Sequence, residues 1–226
     1  MKAWSASRLP QLILRNSTIE GVSADAPDNN YVYCVYVYSS GDLLIEDNTI
    51  DPGFAGGFAA PLQTWGQAQG FDIAIEYTQN GIIAHSAENL ENPCFLCARR
   101  RRQRLFEMAE ALGCNKIAFG HHKDDIVETF FINICYTGVM GTMRPMQTMF
   151  EGRFHIIRPM AFVDEERIIR FAGDQGFPEF ENPCPTARTS KRREIKEILA
   201  QVYQGKKKIK NNIFRSLSHV NLDYLL

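Results

Sequence analysis

The sequence of 226 residues lacks any run of apolar residues near the roughly 18 that are needed to cross a bilayer. Met1–Pro10 also lacks the charged start and apolar stretch of a secretory signal peptide. These absences argue against membrane-spanning and secreted proteins, so we expect a cytoplasmic protein without a membrane partner. With 45% hydrophobic residues, the chain is long enough to bury a substantial core in one or two domains.

Cysteine is scarce, with six residues in the whole chain. In a reducing compartment such residues are better interpreted as metal ligands or core residues than as disulfides. Three of them lie inside apolar runs, where a core position is favoured: Cys34, Cys114 and Cys135. The other three are candidates for chemistry.

Basic residues are nearly absent from the first 92 positions, which hold three of them against eleven acidic residues. Positions 93–226 hold 22 basic and 15 acidic residues, so the net charge of −1 combines an acidic part of −8 with a basic part of +7. A basic half predicts a surface that binds a polyanion, and RNA is the natural candidate. The alternative is that runs such as Arg99–Arg102 form a solvated helix face.

The first fifty residues contain a short repeat, in which Leu14–Glu20 matches Ile45–Asp51 on either side of the β-rich Tyr31–Tyr38. The pattern is similar to the coils of right-handed parallel β-helix proteins, although two coils would bury too little core to be stable. Two ordinary strands with a chance match are the alternative. We therefore predict a β-rich segment over 1–49, solenoid-like or foreign in origin, ahead of a second domain over 50–226.

From Ile50 onward, strand and helix patterns alternate. Short apolar or β-branched runs bounded by Gly or Pro predict three strands, at Phe71–Tyr77, Lys116–Phe119 and His155–Arg158. Apolar residues at helical spacing predict three helices, over Leu105–Leu112, Ile126–Ile134 and Ile168–Ala172. This alternation favours an α/β fold with a parallel sheet flanked by helices, in which ligands bind beyond the carboxyl ends of the strands.

The pair Cys94 and Cys97 is followed directly by the basic run Arg99–Arg104. Two thiols three positions apart can reach one metal, and basic neighbours favour the thiolates that bind it. Cys184 is the best third candidate, because a proline on each side indicates an irregular loop. A buried pair or a redox motif is the alternative for a single pair of this kind.

The segment Gly120–Thr129 places two histidines and two aspartates where a strand gives way to a helix. Backbone amides at a helix start can bind phosphate, and Asp124 or Asp125 could hold magnesium against a nucleotide. The alternative is that the acids cap the helix while His121 and His122 pack locally.

Taken in order, these segments resemble the successive motifs of the tRNA 2-thiocytidine synthetases, within the PP-loop ATP pyrophosphatase superfamily. The matching segments are Asp51–Phe54, Cys94–Cys97 with its basic tail, Gly120–Asp125, Arg158–Met160, Cys184 and Ser190–Arg192. The resemblance covers about 50–226 and implies a Rossmann-like domain of the adenine nucleotide alpha hydrolase type. It also implies that ATP and Mg²⁺ serve to adenylate a cytidine of the tRNA anticodon loop, whose C2 oxygen is then replaced by sulfur through a 4Fe-4S cluster.

The resemblance assigns the cluster to Cys94, Cys97 and Cys184, which leaves one iron open for sulfide. Ala187 stands where relatives often have a further cysteine, which disfavours a four-thiolate zinc site. It implies roles near the reaction centre for Arg101 and in nucleotide activation for Asp124. The other residues that it places at the nucleotide are Gly120, His121, His122 and Asp125. The partners implied are tRNA and a sulfur donor, either a cysteine desulfurase or sulfide, and a homodimer is a further expectation.

The chain departs from the family pattern at its front. Family members begin with a strand, a Ser-Gly-Gly-x-Asp-Ser loop and a helix. The most similar segment here is Ser39–Asp42, and only eight residues separate Asp42 from Asp51. Eight residues are too few for that helix and a return strand, so we expect a truncated domain behind a foreign N-terminus. Four interpretations stay open: an impaired thiolation enzyme, a remnant that binds RNA and a structural metal, a structural zinc protein, and a related tRNA uridine thiolase.

Overall fold

The computed structural model describes most of the chain beyond position 80. The described residues are 33–36, 61, 64, 65, 68, 80–90, 92–111, 113–177, 186 and 189–224. Within these residues, no helix is both long enough and apolar enough to span a membrane. The predicted strand Phe71–Tyr77, the N-terminal repeat, Ser39–Asp42 and Cys184 lie outside them.

A four-stranded sheet forms the centre of the described fold, in the order β1-β2-β4-β3. β1, β2 and β4 are parallel, and β3 runs antiparallel to β4 at the edge. The strands are β1 (Tyr33–Tyr36), β2 (Lys116–Phe119), β3 (Met146–Met149) and β4 (Phe154–Ile157). The predicted α/β fold with a parallel sheet flanked by helices is therefore confirmed.

Six helices are described: α1 (Asn80–Ala84), α2 (Pro93–Ala111), α3 (Lys123–Tyr136), α4 (Glu165–Asp174), α5 (Lys191–Tyr203) and α6 (Lys207–Ser216). Short 3₁₀ turns lie at Phe150–Gly152 and Leu222–Tyr224. The three predicted helices are confirmed as parts of α2, α3 and α4. After α2 and α4 the chain turns at Gly113 and Gly176, whose φ angles of +69° and +63° favour glycine.

Of the predicted strands, Lys116–Phe119 is confirmed, and His155–Arg158 lies one residue earlier, at Phe154–Ile157. Arg158 follows the strand, where its backbone N–H donates to the carbonyl of Pro145, at 2.7 Å, and its guanidinium donates to the carbonyl of Arg144, at 2.5 Å. It is largely buried, so the carboxyl end of β4 carries a cation beneath the loops.

β1 joins a sheet that the sequence did not assign to it. Tyr33 aligns with Lys116 and Tyr36 with Phe119, so β1 runs parallel to β2. Aromatic and β-branched residues predict a strand but not its partner, because pairing in a parallel sheet is set by distant residues. The two predicted segments, 1–49 and 50–226, stay a prediction, but these four residues lie in the same sheet as β2 and β4.

The core joins the sheet to its helices. One buried cluster packs α2 on β2 and β4, through Leu105, Ala109, Cys114, Ile117, Phe119, Phe154 and Ile156. A second cluster joins α3 to α5 through Val127, Ile195 and Leu199. The core position predicted for Cys114 is confirmed, whereas that for Cys135 is wrong, because Cys135 lies exposed in the last turn of α3.

Candidate nucleotide and metal site

The first turn of α2 carries both cysteines of the Cys94–Cys97 pair. The Asn92 side-chain oxygen accepts hydrogen bonds from the N–H groups of Cys94, at 3.0 Å, and Phe95, at 3.4 Å. Asn92 thus caps the helix, and Pro93 follows at the first position, where the missing N–H costs nothing. The helix places Cys94 and Cys97 on neighbouring positions, and its amino end favours the negative charge of thiolate ligands.

Thr186, from a distant part of the chain, contacts both Cys94 and His85. The Thr186 hydroxyl oxygen lies 3.5 Å from Cys94 Sγ and 3.3 Å from His85 Nε2. His85 is held in turn by the carbonyl of Gly81, at 2.9 Å from Nδ1. The chain therefore passes beside Cys94 two residues after Cys184. His85 was missed by sequence reasoning because a single histidine outside any motif gives no signal.

The donors fit a soft metal centre. Cys97 is buried and Cys94 half-buried, and thiolates are the ligands that iron–sulfur clusters and zinc prefer. Among the described residues alone, no group of three Cys, His, Asp or Glu side chains is arranged to hold a metal ion. A complete site would need a further ligand, and Cys184 is the candidate that the sequence offers.

Arg101 is the buried member of the basic run on α2. It lies one helical turn after Cys97 on the same face of α2 and is buried, whereas Arg100 and Arg102 are exposed. Burial lowers the pKa of His121 well below its ordinary value, and the charges of Arg158, Arg192, His122 and Arg101 lower it further. Arginine charges from three elements thus act on a histidine that stays neutral at pH 7.

This arrangement can attract an anion without a charged histidine. Burial lowers the pKa of Arg158 to about 10, which leaves the guanidinium charged near neutrality. Arginine forks match phosphate oxygens geometrically, and a neutral imidazole can donate from one nitrogen and accept at the other. The loop at the carboxyl end of β2 therefore has the chemistry of a phosphate site, at the edge of the sheet where ligands of open α/β folds bind.

His122 and Asp125 form a reciprocal cap at the start of α3, immediately after His121. The Asp125 N–H donates to His122 Nδ1 at 3.4 Å, and the His122 N–H donates to the Asp125 carboxylate at 2.9 Å. Both side chains are fully buried. His122 Nε2 also lies 3.3 Å from that carboxylate, but without the alignment of a hydrogen bond. Local capping, the alternative that the sequence left open, describes this pair.

A buried ionic network joins α3 to α5. Arg192 Nη1 donates to Asp125, at 3.2 Å, and to Glu128, at 2.9 Å, while Nη2 reaches the Thr129 hydroxyl at 3.3 Å. Burial raises the pKa of Glu128 to about 7, and the charge of Arg192 opposes that rise. Glu128 and Arg192 belong to segments that the sequence singled out, but neither was given a role, because their pairing crosses 64 positions.

Asp124 is bonded to different residues from those that hold Asp125. One carboxylate oxygen accepts from the Glu165 N–H at the start of α4, and the other accepts from Lys210 of α6, both at 2.8 Å. Lys210 also pairs with Asp164, at 2.9 Å. A role of Asp124 in magnesium binding would require it to exchange Lys210 for the cation. Gly120 is buried directly after β2, where the chain enters this junction.

The predicted site residues thus fall into three groups. Cys94 and Cys97 lie together in one turn, with Thr186 bringing the chain near Cys184 beside them. Arg101, His121 and His122 lie around the β2–α3 junction. Asp124 and Asp125, adjacent in sequence, are held by different helices and do not converge on one point.

Comparison with known proteins identifies relatives over most of the chain. A family model described as a PP-loop domain matches residues 61–202. The tRNA-cytidine(32) 2-sulfurtransferase of Geobacter sulfurreducens is 35% identical over 181 residues, which are 79% of this chain and 70% of that protein. The enzyme of the same name from Pelobacter propionicus is 33% identical over 78% of this chain and 67% of its own length.

A solved structure supports the same fold. The U34-tRNA thiolase NcsA from Methanococcus maripaludis, determined with its [4Fe-4S] cluster, superposes with a TM-score of 0.55. The match covers 76% of this chain and 57% of that one, at 19% identity, which bears on the fold alone. By its family match and its sequence relatives, the chain belongs to the PP-loop family, in the group of the tRNA-cytidine 2-sulfurtransferases.

Proposed function

We propose that this protein is a tRNA sulfurtransferase that replaces the C2 oxygen of an anticodon-loop cytidine with sulfur, in an ATP-dependent reaction. The observation that carries the proposal is that Arg101 lies buried one turn after Cys97 while its charge acts on His121 of the β2–α3 loop. A thiolation enzyme needs a sulfur site and a phosphate site close together. The two relatives named above carry this activity in their names.

The nucleotide part of the reaction falls to the β2–α3 junction. Arg101 and Arg158 would attract and orient the phosphates of ATP, with His121 as a neutral hydrogen-bonding partner. Transfer of AMP to the C2 oxygen releases pyrophosphate and makes that oxygen a good leaving group. The arginines would stabilise the charge on the departing pyrophosphate and later on AMP. Mg²⁺ would be held near Asp124, after release of Lys210.

The sulfur part falls to the amino end of α2. Cys94 and Cys97, with Cys184 as the third ligand, would hold a 4Fe-4S cluster, which supplies an iron with an exchangeable sulfide. The contact of Cys94 with Thr186 supports this ligand set, because Thr186 is only two positions after Cys184 in the sequence. Arg101, one helical turn after Cys97, would orient the adenylated cytidine toward the sulfide. Sulfide or a cysteine desulfurase would supply the sulfur.

The test is anaerobic purification with iron and sulfide quantification, followed by tRNA thiolation with ATP, Mg²⁺ and sulfide. Digestion of the tRNA and mass spectrometry should reveal 2-thiocytidine at the anticodon loop. Thiouridine in its place would move the assignment to the uridine thiolases. A chain that holds iron but gives no thiolated nucleoside at millimolar ATP would overturn the proposed activity.

A second function is favoured by the bonding at the start of α3. Asp124 and Asp125 are both bound internally, and the sequence has only Ser39–Asp42 in place of the family's Ser-Gly-Gly loop. A protein that binds RNA and keeps a structural metal without using ATP would have these features. Absorption spectra separate a zinc centre from an iron–sulfur one, and tRNA binding without any ATP-dependent chemistry would favour this second function.

A further inference from the structure

A groove of about 530 Å³ lies between α2 and the hairpin formed by β3 and β4, outside the site described above. Four phenylalanines line it: Phe95, Phe106, Phe150 and Phe154. Three arginines stand among them: Arg99, Arg102 and Arg153. Alternation of aromatic rings with arginines is typical of surfaces that bind single-stranded nucleic acid.

The helix side of the groove is a single face of α2. Phe95, Arg99, Arg102 and Phe106 recur every three or four residues, so their side chains lie in one row. The Arg99 guanidinium lies 5.8 Å from the centre of the Phe95 ring. Phe95 is nevertheless 57% exposed, and a large apolar ring held at the surface beside cations indicates a binding role.

The hairpin side presents a second exposed ring. Phe150 is 53% exposed, and its backbone has a φ of +50°, followed by Glu151 at +56°. Bulky side chains rarely adopt this left-handed region, and such strain is found most often at functional positions. The ring of Phe150 packs edge-on against Phe106, with the two centres 4.9 Å apart. The fold thus holds Phe150 at the groove in an unfavourable backbone conformation.

The acids in the groove are already engaged. Glu107 accepts from Gln103, at 3.0 Å, and from Arg104, at 3.1 Å. Glu110 pairs with Arg153. Arg99 and Arg102 therefore give this surface a positive charge that the groove's own carboxylates do not cancel.

We propose that this groove binds unstacked nucleotides of a tRNA anticodon loop, with bases on Phe95 and Phe150 and phosphates against Arg99 and Arg102. This inference rests on the proposed function and names the surface that holds the substrate. Paired bases hide their faces inside the helix, whereas loop bases can stack on aromatic rings. Phe95 lies between Cys94 and Cys97 in the sequence, so the groove begins at the amino end of the helix that carries the cysteines, although the Phe95 and Cys97 side chains point to different sides of α2.

The experiment uses the full chain with Phe95→Leu and Phe150→Leu combined, since leucine keeps the apolar volume but offers no ring. Affinities are measured for a tRNA anticodon stem-loop and for a duplex of equal charge. We expect loop affinity to fall about tenfold or more, with duplex affinity and the salt dependence of loop binding unchanged. Arg99→Gln with Arg102→Gln should instead flatten the salt dependence, by roughly 0.7 in the log–log slope per lost contact.

The matched control is Phe162→Leu, which removes an exposed ring that packs on Phe214, 5.8 Å away. It should leave loop affinity unchanged. A Phe95→Tyr, Phe150→Tyr variant keeps both rings and should bind the loop like wild type, which separates stacking from misfolding. Wild-type loop affinity in the double leucine variant, or an equal loss of affinity for duplex RNA, would contradict the proposal that this groove binds the loop.

The groove and the proposed function fail differently. If wild-type protein binds the loop through the two rings but never thiolates tRNA, the proposed chemistry is wrong and the proposed binding groove is supported. If tRNA is thiolated normally by the double leucine variant at limiting tRNA, the groove is wrong and the chemistry stands.

Discussion

The amino end of α2 and the start of α3 are both helix starts at candidate sites, but their polar groups are held in opposite ways. At α2, Asn92 satisfies the backbone, and the side chains of Cys94 and Phe95 remain partly accessible. At α3, His122 and Asp125 are fully buried, and Asp125 is held by Arg192 from another helix. In the first region side chains remain accessible, whereas in the second the polar side chains are already bonded to one another.

The largest effect that we predict concerns the cysteines proposed as cluster ligands. Cys97→Ser or Cys184→Ser should abolish the bound iron and sulfide, because each variant leaves only two of the three thiolates that we propose as cluster ligands. Iron and sulfide analysis with visible absorption after anaerobic purification measures this. Cys135→Ser is the control, since that thiol is exposed at the far end of α3 and should leave the iron content unchanged. Full iron content in Cys184→Ser would remove that ligand from the proposal.

The next effect tests whether the start of α3 can bind a nucleotide alone. We expect this chain to bind ATP only in the millimolar range, because the Ser-Gly-Gly loop is not found in the sequence. Losing several charge-assisted hydrogen bonds of about 1.5 to 3 kcal/mol each weakens a micromolar site by about a thousandfold or more. Calorimetry with ATP and Mg²⁺ decides the question. A micromolar isotherm abolished by Asp124→Ala would contradict the expectation.

The rigidity of the second region is tested by Arg192→Ala. The substitution leaves Asp125 and Glu128 buried without their cation, which should lower the free energy of unfolding by about 3 kcal/mol. Urea denaturation followed by circular dichroism measures this. The control is the next residue, Arg193, whose ion pair with Glu197 lies on the surface. Arg193→Ala should lower the free energy of unfolding by no more than about 1 kcal/mol. Equal losses in the two variants would contradict a special contribution of the buried Arg192 network to stability.

The smallest effect is a pH dependence that originates in Glu128. Its pKa in the folded protein, about 7, exceeds the ordinary value of 4.5, so its contribution to stability is fully present below pH 4.5. That contribution is lost as the pH rises through 7, by on the order of 2 kcal/mol between pH 5 and 7.5. Unfolding free energies across this range should therefore decline more steeply in wild type than in Glu128→Gln. Parallel curves would show that Glu128 is ionised throughout.

The sequence by itself determined the local features of this protein. Helical spacing located α2, α3 and α4, and a short apolar run located β2, because these patterns depend on neighbouring residues. The Cys94–Cys97 pair and the cluster after β2 were likewise visible, since their chemistry lies within a few positions.

Tertiary structure decided which of these residues act together. It paired β1 with β2, turned Asp124 toward Lys210, joined Arg192 to Glu128 and brought Thr186 to Cys94. It also formed the phenylalanine groove from a helix that ends at Ala111 and a hairpin that begins at Met146. Composition and spacing cannot predict such contacts, because burial and long-range packing select one partner among many residues of the same type.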